Sequence, residues 1–133
     1  MESFYYAVWN KGCWKCGREI TVALDVCGWS FVPCDTLEYE EYEGEESNAG
    51  GLWRYKMPSW LLKHLRLLGA NIQFRKTSVV EGGYYANVCP HCGAVQGDWF
   101  LHEEFAGLLY ENPPRFKVYK ITEEGPKIYR MGY

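Results

Sequence analysis

The chain has 133 residues, of which 47% are hydrophobic and 17% aromatic. So many large apolar side chains exclude a disordered linker, and the length favours one folded domain over residues 1–133. The formal charge of -3 gives no global electrostatic reason to expect a nucleic acid or an anionic membrane as partner.

The first residues do not predict a signal peptide, because Glu2 is acidic and residues 10–12 interrupt the apolar run. No uncharged apolar stretch approaches the roughly 20 residues that span a bilayer. We therefore expect a cytoplasmic protein with no membrane contact. In that reducing compartment the six cysteines are metal ligands and thiols rather than disulfides.

The N-terminal part predicts a hairpin, with strands at residues 5–9 and 20–24 that hold Cys13 and Cys16 at the tip. Residues 27–32 suggest a further short strand. Residues 38–51 carry six glutamates and three glycines, and we expect a mobile acidic loop there.

Residues 60–69 predict the best helix of the chain, with Ser59 as the cap and Gly69 as the stop. Leu61, Leu65 and Leu68 share one face at helical spacing, so this helix is expected to pack on a sheet. The opposite face, with Lys63 and Arg66 among its residues, is expected to meet water.

The second half predicts strands at residues 71–80 and 84–88, the latter entering a second cysteine turn. Residues 99–106 fit either a strand or a short helix. Residues 115–122 and 127–130 indicate a terminal hairpin. The predicted class is α+β, with an antiparallel sheet and one packed helix in a long insertion over residues 35–80.

Two Cys-x-x-Cys pairs, Cys13 with Cys16 and Cys89 with Cys92, are each followed directly by a glycine. Four soft thiolates are the ligands that a tetrahedral zinc ion prefers, and the short spacing lets both sulfurs of a pair reach one ion. Two unrelated pairs of buried cysteines, or a thioredoxin-like dithiol, are the alternatives, but neither explains two matched turns. Four thiolates leave no open position for water, so one structural Zn²⁺ is predicted.

The strings CWKCG (13–17) and CPHCG (89–93) resemble the two turns of the zinc-ribbon and rubredoxin-knuckle proteins. The wider string around the second turn is similar to uncharacterised bacterial and phage zinc-ribbon proteins. This resemblance covers a minority of the chain and implies a fold and a metal, not an activity. The 72 residues between Cys16 and Cys89 exceed the usual ribbon gap, which is why an insertion is inferred.

The predicted function is a non-catalytic, zinc-stabilised module that binds another protein, as a regulator or inhibitor. The acidic run and an exposed aromatic would meet a basic partner. The candidate partner-binding residues are Glu40, Glu41, Glu43, Glu45, Glu46 and Trp53.

Two alternatives remain open. The basic residues Lys117, Lys120, Lys127 and Arg130, with Tyr119 and Tyr129 between them, could bind a single-stranded nucleic acid by charge and stacking. A small enzyme could instead use the acid-base cluster, which contains Asp98, His102, Glu103 and Glu104. No nucleophile or phosphate-binding loop accompanies that cluster, so the sequence favours a protein without catalysis.

Overall fold

The computed structural model describes residues 2–27, 29, 31–32, 57–76 and 82–130. These residues contain two helices and seven strands. In chain order they are β1 (Phe4–Gly12), β2 (Glu19–Asp25), α1 (Ser59–Leu67), β3 (Ile72–Arg75), β4 (Tyr84–Val88), β5 (Val95–Gln96), α2 (Asp98–Leu108), β6 (Lys117–Thr122) and β7 (Gly125–Ile128).

The described strands form two antiparallel sheets, which confirms the predicted α+β class. The first sheet has the order β2-β1-β6-β7 and the second has the order β3-β4-β5. Both predicted hairpins of the first sheet are present: Val8 lies opposite Ala23 between β1 and β2, and Lys120 lies opposite Lys127 between β6 and β7.

Strand β1 is the centre of the first sheet and is buried on both faces. Tyr5, Ala7 and Trp9 point to the core that contains Leu101 and Phe105 of α2. Phe4 and Tyr6 point to the other core, which α1 and β3 cover. Because successive side chains of a strand face opposite ways, both faces need apolar residues, and residues 4–9 of the strand form a continuous apolar run.

Helix α1 is the packed helix predicted within the insertion. Leu61 and Leu65 are fully buried against the first sheet. The helix ends at Leu67, and the predicted stop residue, Gly69, follows it with a φ of +108°. The N–H of Ala70 reaches back to the carbonyl of Leu65, which satisfies a carbonyl at the helix end. The predicted serine cap is wrong: Pro58 is the N-cap residue, and no side chain caps the helix.

The opposite face of α1 is only partly as predicted. Lys63 and Arg66 are exposed, but Arg66 also donates from Nε and Nη2 to the carbonyl of Ile72, at 3.1 and 2.7 Å. The guanidinium thereby connects the end of α1 to the start of β3.

Helix α2 resolves the segment whose pattern fitted either a strand or a helix. Leu101, Phe105 and Leu108 are buried at helical spacing, and the ring of Phe105 contacts those of Trp9 and Trp29. Tertiary packing therefore selects the helix, because only helical spacing aims all three side chains at one core.

The described members of residues 27–32, which are 27, 29, 31 and 32, are not in the strand suggested by the sequence. They lie in turns or bends, with hydrogen bonds from the N–H of Trp29 to the carbonyl of Val26 and from that of Val32 to the carbonyl of Trp29. The rings of Trp29 and Phe31 pack on Phe105 of α2. The predicted strand at residues 71–80 is present over Ile72–Arg75, and residues 77–81 lie outside the described ones.

Asn87 joins the two sheets near their centre. It is buried in β4, where its Nδ2 donates to the carbonyl of Ala23 and its Oδ1 accepts from the N–H of Ala23, both at 2.9 Å. Ala23 lies on β2, an edge strand whose outward backbone groups have no strand partner on that side among the described residues. The amide of Asn87 therefore replaces one residue of a neighbouring strand.

Candidate metal centre

The two cysteine turns have the same backbone geometry. In the first, the N–H of Cys13 donates to Arg18 and the N–H of Gly17 donates to Cys13; in the second, Cys89 donates to Ala94 and Gly93 donates to Cys89. The glycines have φ values of +80° and +81°, a region that side chains with a Cβ rarely adopt. This explains why a glycine closes each turn.

Each turn is the tip of a hairpin, one in each sheet. The first connects β1 to β2 and the second connects β4 to β5. The resulting four-cysteine cluster joins segments that are far apart in the sequence, as the sequence predicted.

The four sulfur atoms of Cys13, Cys16, Cys89 and Cys92 all lie within 4.8 Å of one another. The Sγ atoms of Cys13 and Cys92 are 3.7 Å apart, as are those of Cys16 and Cys89. Zn–S bonds of about 2.3 Å in a tetrahedron place sulfurs about 3.8 Å apart. The cluster therefore has the ligand type and spacing to hold one metal ion.

The first cysteine of each turn is the buried one, and N–H groups point at its sulfur. Cys13 Sγ accepts from the N–H of Lys15 at 3.3 Å, and Cys89 Sγ accepts from the N–H of His91 at 3.3 Å. The backbone N–H of Cys16, with that of Lys15, lowers the pKa of Cys13 to about 6 against the effect of burial. Burial raises the pKa of Cys89, but the N–H groups of Cys92 and His91 outweigh it and leave that pKa lowered.

The pKa of Cys92 is shifted in the opposite direction. The N–H of Ala94 favours its thiolate, but burial and the other three sulfurs outweigh this and raise its pKa to about 11. Four neighbouring sulfurs resist sharing four negative charges, which is the charge problem that a divalent cation removes.

Gln96 is a part of the site that sequence reasoning missed. It is almost fully buried at the end of β5, and its Nε2 lies 3.4 Å from Cys13 Sγ and 3.0 Å from the carbonyl of Ala94. Its Oε1 is buried without a hydrogen-bond partner in the described part of the chain. No local motif marks this role, and the only sequence signal is a polar residue four positions after Cys92.

The four residues of the predicted acid-base cluster on α2 each have different surroundings. Asp98 begins the helix, the ring of His102 stacks on that of Trp29 at 5.7 Å, and Glu103 is exposed. Glu104 forms an ion pair with Lys11 at 3.3 Å. Three of the four side chains are thus engaged in packing, in an ion pair or with solvent.

Asp98 faces Asp25 instead. Both line a cavity of about 10 Å³, room for one water molecule at most, beside Asn87 and Tyr85. Burial, with the charge of Asp25, raises the pKa of Asp98 well above its usual range. Burial and the charge of Asp98 also raise the pKa of Tyr84 to about 12. The cavity is too small for an organic substrate.

Two members of the predicted basic cluster at the C-terminal hairpin lie next to each other. Lys120 and Lys127 lie directly opposite each other across β6 and β7, where two like charges repel. The ring of Tyr129 packs edge-on against the buried Tyr5, with 5.2 Å between ring centres. Lys127 lies on the edge strand β7, where a charged lysine also opposes edge-to-edge aggregation.

The predicted partner-binding residues lie outside the described ones. This holds for all five glutamates, Glu40, Glu41, Glu43, Glu45 and Glu46, and for Trp53. His91, the histidine of the second turn, is exposed.

Comparisons with known proteins give the chain no family: no family model, no curated protein and no solved structure matches it. Within the described ranges, neither α1 nor α2 is long and apolar enough to cross a membrane. The resemblance to zinc ribbons therefore stays a prediction, and the structure shows a four-cysteine cluster built from two matching turns.

Proposed function

We propose that the chain is a zinc-stabilised binding module without catalytic activity, and that it binds another protein. The observation that carries this is the four-cysteine cluster, whose sulfur spacing fits zinc and whose ligands come from both sheets. With four thiolates bound, the ion has no free position, and its contribution is folding energy.

The surface of the described residues supports binding rather than chemistry. Trp14, Trp99 and Phe100 are each about two-thirds exposed, at 67%, 69% and 69%. Large aromatic side chains in water are costly unless a partner covers them, and tryptophan is enriched among the residues that dominate protein interfaces.

A protein partner is favoured over a nucleic acid because the charge is unfavourable for phosphates. The whole chain carries a formal charge of -3, which disfavours a polyanion that presents many phosphates at once. Nucleic-acid binding retains one supporting observation, the opposed Lys120 and Lys127, and it remains the second candidate.

Two measurements test the module. Elemental analysis of freshly purified protein is expected to give one zinc per chain. Tagged protein is then used to capture partners from its host, before and after zinc removal by a chelator. We expect a stoichiometric protein partner that is lost with the metal; absence of zinc, or capture that is indifferent to it, would contradict the proposal.

A further inference from the structure

Two exposed rings lie against the chain at β5, next to the metal cluster, and a third is exposed on the first turn of α2, which follows β5 directly. Trp14 Nε1 donates to the carbonyl of Val95 at 2.7 Å, which fixes the indole of the first turn against the second hairpin. Phe100 lies over Gly97, where an added Cβ would be 3.4 Å from Phe100 Cδ2. Trp99 is its neighbour on the first turn of α2. We call Trp14, Trp99 and Phe100 the knuckle aromatic surface.

At least two of these rings are held in place. The indole of Trp14 has a hydrogen bond at one edge, and the ring of Phe100 rests on backbone, while both remain about two-thirds exposed. Side chains that are already ordered lose little entropy on binding, so they make strong anchors.

Two basic side chains lie on the same cysteine turn. Lys15 and Arg18 are exposed, and neither side chain forms a hydrogen bond or an ion pair with the described part of the chain. Lys11, in contrast, is already paired with Glu104, at 3.3 Å. The surface therefore offers apolar rings beside two cations that no described residue pairs.

We propose that the knuckle aromatic surface binds a partner protein through a segment with an apolar anchor flanked by carboxylates. This rests on the proposed function and names its interface. The rings take up the anchor, and Lys15 and Arg18 attract the carboxylates. Two cations are too few for a nucleic-acid backbone, which tight binders contact at about 6–10 phosphates.

The test selects peptides from a random display library with zinc-loaded protein and measures the dissociation constants of the enriched peptides by fluorescence anisotropy. We expect acidic peptides with an aromatic or large aliphatic residue. Trp99→Ala should weaken binding by at least about 10-fold, as expected of an anchor. Tyr110→Ala is the matched control, because Tyr110 is 90% exposed at the far end of α2, and it should change binding less than about 2-fold.

Charge is tested separately. Lys15→Glu and Arg18→Glu should each weaken binding about 3- to 10-fold, more at low salt, whereas Lys63→Glu on the exposed face of α1 should not. Zinc content is measured for each variant, because both cations also lie near the cluster. Trp14→Phe keeps a ring but removes the bond to Val95, and it should bind more weakly with zinc retained.

The outcomes separate the two proposals. If peptides bind but Trp99→Ala and Lys15→Glu leave the dissociation constants unchanged, the proposal for this surface is wrong, and the protein binds its partner through another surface. If the zinc-loaded protein enriches no peptide, the result contradicts both the proposed surface and the proposed protein-binding function. If labelled oligothymidylate binds and loses affinity in the same variants, the surface is a nucleic-acid site and the assignment to a protein is overturned.

Discussion

The two sheets are joined at two places that differ in chemistry. At the hairpin tips four sulfurs from both sheets converge within 4.8 Å, and nearer the centre Asn87 of β4 bonds twice to Ala23 of β2. The first joint needs the proposed metal ion, whereas the second is made of the chain alone. The two joints are therefore expected to differ in how much each contributes to the stability of the fold.

The metal joint is expected to contribute the larger free energy to the stability of the fold. Structural zinc in small domains binds with about 10–16 kcal/mol of apparent free energy, and a typical domain is stable by only about 5–15 kcal/mol. With zinc bound as proposed, loss of the ion would remove an amount comparable with the whole stability. The amide joint has two hydrogen bonds, each worth about 1 kcal/mol net when made and more when one partner is deleted.

The largest effect is expected from removing a buried ligand. Cys89→Ala should abolish stoichiometric zinc binding and leave the chain loosened or unfolded, because three sulfurs hold the ion poorly. Elemental analysis and circular dichroism measure this. Cys27→Ser is the control, since Cys27 lies outside the cluster, and it should keep one zinc; a Cys89→Ala protein that retained both zinc and cooperative unfolding would refute the clamp.

The amide joint is tested with Asn87→Leu. The substitution leaves the buried N–H and carbonyl of Ala23 without partners, so the free energy of unfolding should fall by about 2–4 kcal/mol. Urea denaturation of zinc-loaded protein gives the value. Asn10→Ala, which removes an exposed amide bonded to Thr21, should cost less than about 1 kcal/mol; equal losses would mean that Asn87 does not join the sheets.

The two joints also differ in what the sequence could predict. Four cysteines in two matched turns define a metal site because thiolates at that spacing have few other uses, and the structure brings all four together. Asn87 and Gln96 have no such mark, since a buried amide is identified only by what lies opposite it. The predicted serine cap is wrong because Ser59 is the first residue of the helix and Pro58 is its N-cap residue, which has no side-chain group to cap it.

Gln96 tests whether the metal joint needs support beyond its ligands. Gln96→Leu removes the N–H group near Cys13 Sγ, and zinc affinity should fall about 10- to 100-fold while the stoichiometry stays at one. Competition with a chromophoric chelator measures the affinity, and the spectrum of the Co²⁺ form should shift. Gln73→Leu, on β3 and away from the cluster, should leave the zinc affinity and the Co²⁺ spectrum unchanged. Equal zinc affinities of Gln96→Leu and Gln73→Leu would show that Gln96 is not part of the site.

The smallest effect is a pH dependence at the amide joint, where Asp98 lies against Asp25 beside Asn87. Burial raises the pKa of Asp98 in the folded chain, so folding takes up a proton above the unfolded value of about 4. The contribution of Asp98 to stability is therefore fully present below about pH 4 and is lost as the pH rises towards the native pKa. The free energy of unfolding changes through Asp98 by at most about 1.4 kcal/mol per pH unit.

Asp98→Asn keeps the shape and removes the titration. The unfolding free energy of the variant minus that of the natural chain should become more positive from pH 6 to pH 8 as long as the native pKa lies within or above that range. Comparing the two proteins at each pH cancels the proton competition at the cysteines, which both retain. Glu103→Gln, an exposed carboxylate on the same helix, should give a difference that is flat with pH. A flat difference for Asp98→Asn as well would show that this carboxyl is ionised in the fold, and that the cavity beside Asn87 is wet enough to solvate it.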